Sequence, residues 1–236
     1  MKGIFIVMEG PDGSGKSTQI ALLKEYLDKI GCECLITREP GGTAIGEAVR
    51  KIILNPEYKE MSDVTEMLLY AASRAQLMAE VIGPALEAGK IVISDRFVDS
   101  SIVYQGIARG LGTDTVAAVN RPGIGKYEPD CIFFIDISEE EGIRRKKVQK
   151  KLDRMEQESI DFHAMVSRGY REVLSGRKEV IYIDGAAAAE QIQQQIREEI
   201  HRRIEACGIS GRKADRFKKQ TGLDNMKLKD EEQCQI

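Results

Sequence analysis

Near its start the chain runs Gly3-Ile4-Phe5-Ile6-Val7-Met8 and, one residue later, Gly10-Pro11-Asp12-Gly13-Ser14-Gly15-Lys16-Ser17. An apolar strand followed by this glycine-rich loop and then a helix is the order of a phosphate-binding P-loop, and it commits the fold to a strand that delivers the loop and a helix that receives it. Glycines accept torsions that other residues resist, so successive N–H groups can turn inward around phosphate oxygens at the start of the helix. Lys16 is suited to neutralise β/γ oxygens. Ser17 offers a hydroxyl where a Mg²⁺ bridging those phosphates takes an oxygen ligand, and Thr18, Leu22, Leu23 and Leu27 continue a helix with an apolar face. Gly10 to Thr18 (Gly10, Pro11, Asp12, Gly13, Ser14, Gly15, Lys16, Ser17 and Thr18) is therefore the expected site of a nucleoside triphosphate. A plain glycine turn between strand and helix is disfavoured because motif and context agree.

Four further apolar runs, Cys34 to Thr37, Ile91 to Ser94, Cys131 to Ile135 and Val180 to Ile183, alternate with helical patterns. With the first strand they predict an α/β fold in three layers: a five-stranded, mostly parallel sheet with helices on both faces. A chain of 236 residues suits one such domain with an appendage. Val64 to Leu86, rich in Leu, Met and Ala, reads either as a helix buried on more than one side or as a subunit interface. Ligands of open α/β sheets bind outside the carboxyl ends of the strands. The unusual polar clusters fall there: Glu9 to Ser17, Arg38 to Thr43, Asp95 and Arg96, and Asp136.

The charge balance, 35 Lys and Arg against 38 Asp and Glu, gives no global basic field, so nucleic acid is not an expected partner. Cys32, Cys34, Cys131, Cys207 and Cys234 are an odd number without paired CxxC spacing. They read as reduced thiols of a cytoplasmic protein rather than a zinc site or a disulfide framework. Glu9 interrupts the first apolar run, which reads as a core strand and not a signal peptide, and no run of about 18 apolar residues is present for a membrane span. His163 and His201 read as packing or surface residues.

The strand-end clusters have their own chemistry. Arg38-Glu39-Pro40-Gly41-Gly42-Thr43 couples a guanidinium able to hold a phosphate through two parallel hydrogen bonds to a stiff turn, although a surface turn with an incidental arginine has the same appearance. Asp95-Arg96-Phe97 is followed by Ser100, Ser101, Tyr104, Gln105 and Arg109, side chains able to read a base and its phosphate. Arg144 to Lys151, closing with Leu152-Asp153-Arg154-Met155-Glu156, is a basic run that by itself reads as a solvated helix face. Phosphoryl transfer needs a triphosphate cradle, a second anion site and mobile positive charge, and together the clusters supply all three.

With GPDGSGKST, REPGGT, YAASRAQ, DRFVDSSIVYQG and LDRMEQES in this order, the chain resembles the thymidylate kinases from about Lys2 to Cys207. REPGGT and DRF…S…YQG are the more specific of these motifs. The resemblance implies a P-loop nucleoside monophosphate kinase that phosphorylates dTMP with ATP, uses Mg²⁺ and forms a homodimer. It further implies that Asp12 approaches the acceptor's 3′-hydroxyl, that Arg38 and Arg96 grip its phosphate, and that Ser17 and Asp95 serve the metal. Arg74 would bind the thymine edge, Tyr70 stack on the base, Ser101 reach the N3 side, Tyr104 crowd the sugar's 2′ position and Gln105 line the same pocket. Some members carry a catalytic arginine in the P-loop, where this chain has Gly13. The catalytic cation is accordingly expected, beside Lys16, in a lid at about 144–154: Arg145 and Arg154, with Lys147, Lys150 and Lys151 as further candidates because Gln149 stands where a second arginine often occurs. Adenine is expected against Asp184-Gly185-Ala186-Ala187. Residues 208–236, a polar extension, are expected either to be disordered or to fold against the domain.

Overall fold

The computed structural model describes residues 3–146 and 152–207. Lys147, Gln149, Lys150 and Lys151, and the extension 208–236, lie outside the described residues. In chain order the elements are β1 (Ile4–Glu9), α1 (Lys16–Ile30), β2 (Cys34–Arg38), α2 (Ala44–Ile53) and α3 (Asp63–Leu77). A π-helical turn, Met78–Ile82, carries α3 into α4 (Gly83–Glu87), followed by β3 (Ile91–Asp95), α5 (Val98–Ser101) and a second π-helical stretch, Ile102–Ala108. Then come α6 (Thr113–Ile124), β4 (Cys131–Asp136), α7 (Glu139–Lys146), α8 (Ile160–Leu174), β5 (Val180–Asp184) and α9 (Ala189–Ala206).

The five strands form one sheet in the order β2-β3-β1-β4-β5, and all four pairings are parallel. β1 is central, and all six of its residues are buried. This is why it reads as a continuous apolar run rather than an alternating one. Its side chains still divide by parity, as a pleated strand requires. Ile4, Ile6 and Met8 pack under α1 and α9, against Leu23, Leu27, Ile196 and Ile200, whereas Phe5 and Val7 face Leu77, Ile82 and Phe97 on the other side. Beyond β4 on that second side, α8 sets Phe162, Val166 and Tyr170 against Phe134 and Tyr104.

The predicted long helix from Val64 divides in two environments. Its second half, Leu77, Met78 and Ile82, is buried against the sheet, while Val64 and Leu68 in the first half are exposed. Among the described residues no helix is long and apolar enough to cross a membrane.

The chain leaves β1 for β2, returns to β3 beside β1, and crosses to β4 on β1's other side. That reversal opens a crevice at the carboxyl end of β1. The register there is tight: Met8 pairs with Asp95 and with Phe133, Arg38 with Asp95, and Asp136 with Asp184. The polar strand ends read from the sequence are thus held side by side along one edge.

Candidate active site

A cavity of about 570 Å³ opens at this edge. At one end the P-loop turns through Gly13 (φ 80°) and Gly15 (φ 96°), left-handed conformations that side chains disfavour, and delivers Lys16 at the first position of α1. Lys16 is buried; its Nζ donates to Gly10 O (2.9 Å) and Pro11 O (3.0 Å). Burial, reinforced by the nearby Arg96 guanidinium, lowers its ammonium from 10.5 to about 8. The same burial that costs this charge its hydration leaves it poised for an anion.

Asp12, Gly13, Gly15, Lys16, Ser17 and Thr18 line the cavity, whereas Gly10, Pro11 and Ser14 of the same loop do not, and Ser14 N donates to Pro11 O (3.3 Å). Opposite them stand Arg38, Tyr70, Arg74, Asp95, Arg96, Ser101, Tyr104 and Gln105, and Arg145 reaches in from α7. Pro11, Ser14, Arg109, Asp136 and the loop Asp184 to Ala187 stand off this wall, whereas the candidate catalytic, acceptor-binding and metal-binding side chains of the described residues meet in a single space with one exception. The exception is Arg154. Its Nε donates to Ile53 O (2.7 Å) and its Nη2 to Glu66 Oε2 (2.6 Å), so its guanidinium is buried beneath the cavity and does not line it.

Arg96 is the hinge of the arrangement. Among the described residues it is the one non-glycine with a positive φ, 74°, a strained conformation that turns its side chain back over the P-loop. Its Nη1 donates to Gly10 O (3.1 Å), Ser100 Oγ (3.2 Å) and Tyr170 Oη (2.8 Å), and its Nη2 pairs with Asp12 Oδ1. Behind it lies Glu9, fully buried. Glu9 accepts from Phe97 N (2.9 Å), Ser100 N (3.3 Å), Ser100 Oγ (2.7 Å) and Tyr170 Oη (3.0 Å).

Burial pushes the Glu9 carboxyl up from 4.5 to about 7, a shift that Arg96 only partly opposes. Because the folded protein holds this proton more tightly than the unfolded chain, the stabilisation is full below about pH 4.5 and is lost as pH rises through about 7. Glu9→Gln, which cannot ionise, should therefore gain in Tm relative to the parent protein between about pH 5 and about pH 8. A Tm difference that stays flat across that range would contradict the burial of an ionising Glu9.

The acceptor-facing wall is prepared by buried pairings. Arg74, 1% exposed, donates through Nε to Glu39 Oε2 (2.7 Å) and through Nη2 to Phe97 O (3.2 Å) and Ser101 Oγ (3.1 Å), and its Nη1 meets Asn120 Oδ1. Its planar fork is thus fixed by the protein's own groups. Arg38, half exposed, is held by both oxygens of Glu47 at 2.9 Å.

Arg145 spans the cavity's other mouth: its Nη2 donates to Gly185 O (3.1 Å), its Nη1 to Gly13 O (3.4 Å) and its Nε to Glu141 Oε1 (2.6 Å). It therefore bridges the P-loop and the loop after β5. Position 13 is tight as well as left-handed: a Cβ there would lie 3.0 Å from Gly142 O, so that α7 would have to give by a few tenths of an ångström. Asp95 Oδ1 is buried without a hydrogen-bond partner among the described residues.

Several cavity or supporting residues carry no local signal. Arg50, which donates to Pro40 O (2.8 Å), lies on an amphipathic helix and reads as an ordinary surface cation. Tyr170 and Glu66 belong to helices whose spacing announces only a buried face. Asn120, a buried residue of α6, belongs to no nucleotide-reading motif, yet it anchors Arg74.

A P-loop at the carboxyl end of the central strand, facing a second cluster of cations across one cavity, defines a P-loop nucleotide-dependent phosphotransferase. The family model for thymidylate kinase matches residues 8–196. A thymidylate kinase of Thermoanaerobacter sp. (strain X514) is 50% identical over 197 residues, covering 83% of this chain and 96% of that protein. One from Caldanaerobacter subterraneus subsp. tengcongensis is 52% identical over 186 residues (78% and 88%), and one from Halothermothrix orenii 44% over 212 residues (89% and 100%). The chain belongs to the thymidylate kinase family.

Proposed function

We propose that this protein transfers the γ-phosphoryl group of ATP to dTMP, giving dTDP and ADP on the way to dTTP, by direct in-line displacement. The observation that carries the reading is one cavity with a P-loop lysine at one end and two arginines, Arg38 and Arg96, beside a base-sized wall of Tyr70, Arg74, Ser101 and Gln105 at the other. A dTMP phosphate oxygen is already anionic, so the attack on phosphorus needs no enzyme nucleophile and little general-base help. The protein's work is positioning and charge stabilisation.

In this reading Lys16 and Arg145 neutralise the transferring group, Arg38 exchanges Glu47 for the acceptor phosphate, Arg96 holds that phosphate from beneath, and Asp12 receives the sugar's 3′-hydroxyl. Tyr70 stacks on the thymine, Arg74 donates to a ring carbonyl, and Tyr104 fills the space a 2′-hydroxyl would need. The adenine rests on Asp184 to Ala187. Arg154 acts from below the cavity.

The donor set suits Mg²⁺: Ser17 Oγ and the unpartnered Asp95 Oδ1 are hard oxygen ligands on the cavity wall, few in number, as expected of an ion that takes most of its ligands from phosphates and water. Bound there, the ion would withdraw charge from the phosphate oxygens. Exposed apolar residues on α2 and α3, Ile45, Ile52, Val64 and Leu68, support a homodimer packed through helices, and the reduced-thiol composition supports a cytoplasmic setting.

The test is the initial rate of ADP formation with MgATP and dTMP, beside dUMP, UMP, dCMP and thymidine, on material also sized by sedimentation velocity. Fast dTMP turnover, residual dUMP turnover and weak UMP turnover are expected, because a pocket for one methyl group is worth only about 1–3 kcal/mol. A flat response to every acceptor would sink the kinase reading, and a monomer at assay concentration the dimer.

A further inference from the structure

Glu66 lies on α3 one turn before Tyr70 and is 1% exposed. Its Oε1 accepts from Gln105 Nε2 (2.9 Å) and Arg109 Nε (3.2 Å), and its Oε2 from Arg109 Nη2 (3.0 Å) and Arg154 Nη2 (2.6 Å). Arg154 is itself held by Ile53 O, and Arg109 by Glu158 Oε1 (2.5 Å), so the carboxylate is fastened from three directions.

This fastening decides which way the Gln105 amide points. With its nitrogen committed to Glu66, its Oε1 is turned away, buried and without a partner among the described residues, and Gln105 lines the cavity beside Tyr70, Arg74 and Ser101. Turning the amide over would set its oxygen against a buried carboxylate and forfeit a charge-assisted hydrogen bond. The wall therefore presents one fixed acceptor, Gln105 Oε1, and one fixed donor group, the Arg74 guanidinium, which can only donate.

A ring edge that satisfies both has an N–H next to a carbonyl, the imide edge of a 2,4-dioxopyrimidine. Cytosine reverses both, with a bare ring nitrogen and an exocyclic amine. We infer that Glu66 is a positioning residue for acceptor choice: it enforces the imide-reading orientation of Gln105, and Arg154 contributes by holding Glu66 in place. The inference rests on dTMP being the acceptor.

The experiment compares kcat/KM for dTMP and dCMP at saturating MgATP in the parent protein, Glu66→Gln, Gln105→Leu and the double variant. Glu66→Gln should lower the dTMP-to-dCMP ratio at least roughly tenfold, the scale of one buried hydrogen bond, through a higher KM for dTMP with the KM for ATP unchanged. In the Gln105→Leu background the same substitution should leave the ratio unmoved, because the amide it orients is gone. Equal losses for both acceptors, or the same ratio change with and without Gln105, would overturn the inference. Should Glu66→Gln not fold, Glu66→Asp keeps the charge for Arg109 and Arg154 but shortens the reach to Gln105. It should move the ratio the same way, and an unchanged ratio overturns the proposal. A parent protein that does not turn over dTMP sinks the kinase reading together with this one, whereas a dTMP-selective parent with unmoved variants sinks this one alone.

Discussion

Arg96→Ala is expected to lower kcat/KM for dTMP by about 10³-fold, the upper range for removing one preorganised oxyanion donor and the lower range for a phosphoryl-transfer arginine. The size follows from what the side chain does at once. It is the cation paired with Asp12, it closes on Gly10 O of the P-loop, and through Ser100 and Tyr170 it caps the buried Glu9. Removing it takes the nearest positive charge from two carboxylates in a water-poor site. Asp12, left without its cation, then opposes an incoming phosphate, whereas Glu9, whose ionised form Arg96 favours, shifts further toward its neutral acid.

The backbone supplies an internal control. Arg96 holds φ 74°, which glycine adopts freely and alanine does not. Arg96→Gly should therefore match Arg96→Ala in steady-state kinetics while melting at a higher temperature. Kinetic loss below about tenfold in both variants would remove Arg96 from the phosphate grip.

For Arg145→Ala the expected result is a fall in kcat of about 10²–10³, with ATP affinity changed by less than about threefold. The two terminal nitrogens of this guanidinium rest on carbonyls, Gly13 O and Gly185 O, while its Nε pairs with Glu141. An anionic phosphoryl group is a far better partner than either carbonyl, so the interaction strengthens as charge develops and bears on turnover more than on binding. Gly13 and α7 are close neighbours, with a Cβ at position 13 falling 3.6 Å from Arg145 Cβ, so Arg145 reaches the P-loop from the helix that packs on it. Measuring kcat in parallel with ATP binding by calorimetry separates the two effects. Unchanged turnover would exclude Arg145 and shift the role to the lysines that follow it.

Much of the site was legible because it is written locally. The P-loop is a contiguous motif, and the strands that end in Arg38, Asp95 and Asp136 are short apolar runs whose boundaries carry the polar residues. A parallel sheet brings such ends to one edge whatever the helices between them do. Arg154 shows where that reasoning stops. In sequence it is one more cation in a basic run, indistinguishable from Arg145, yet one guanidinium faces the cavity and the other is buried against Glu66, 88 positions earlier.

The sequence by itself determined the phosphate loop and the parallel α/β architecture, which depend on neighbours within a few residues, and its resemblance to a family named the base-facing side chains of the cavity wall. Only the tertiary structure decided how those side chains are held. Glu39 and Asn120 fix Arg74, Tyr170 and Ser100 seat Arg96 over Glu9, and Glu66 turns Gln105. The physical reason is burial. A charged or amide group removed from water must find its partner in the packed interior, and that partner is chosen by the way helices dock on the sheet, not by its distance along the chain.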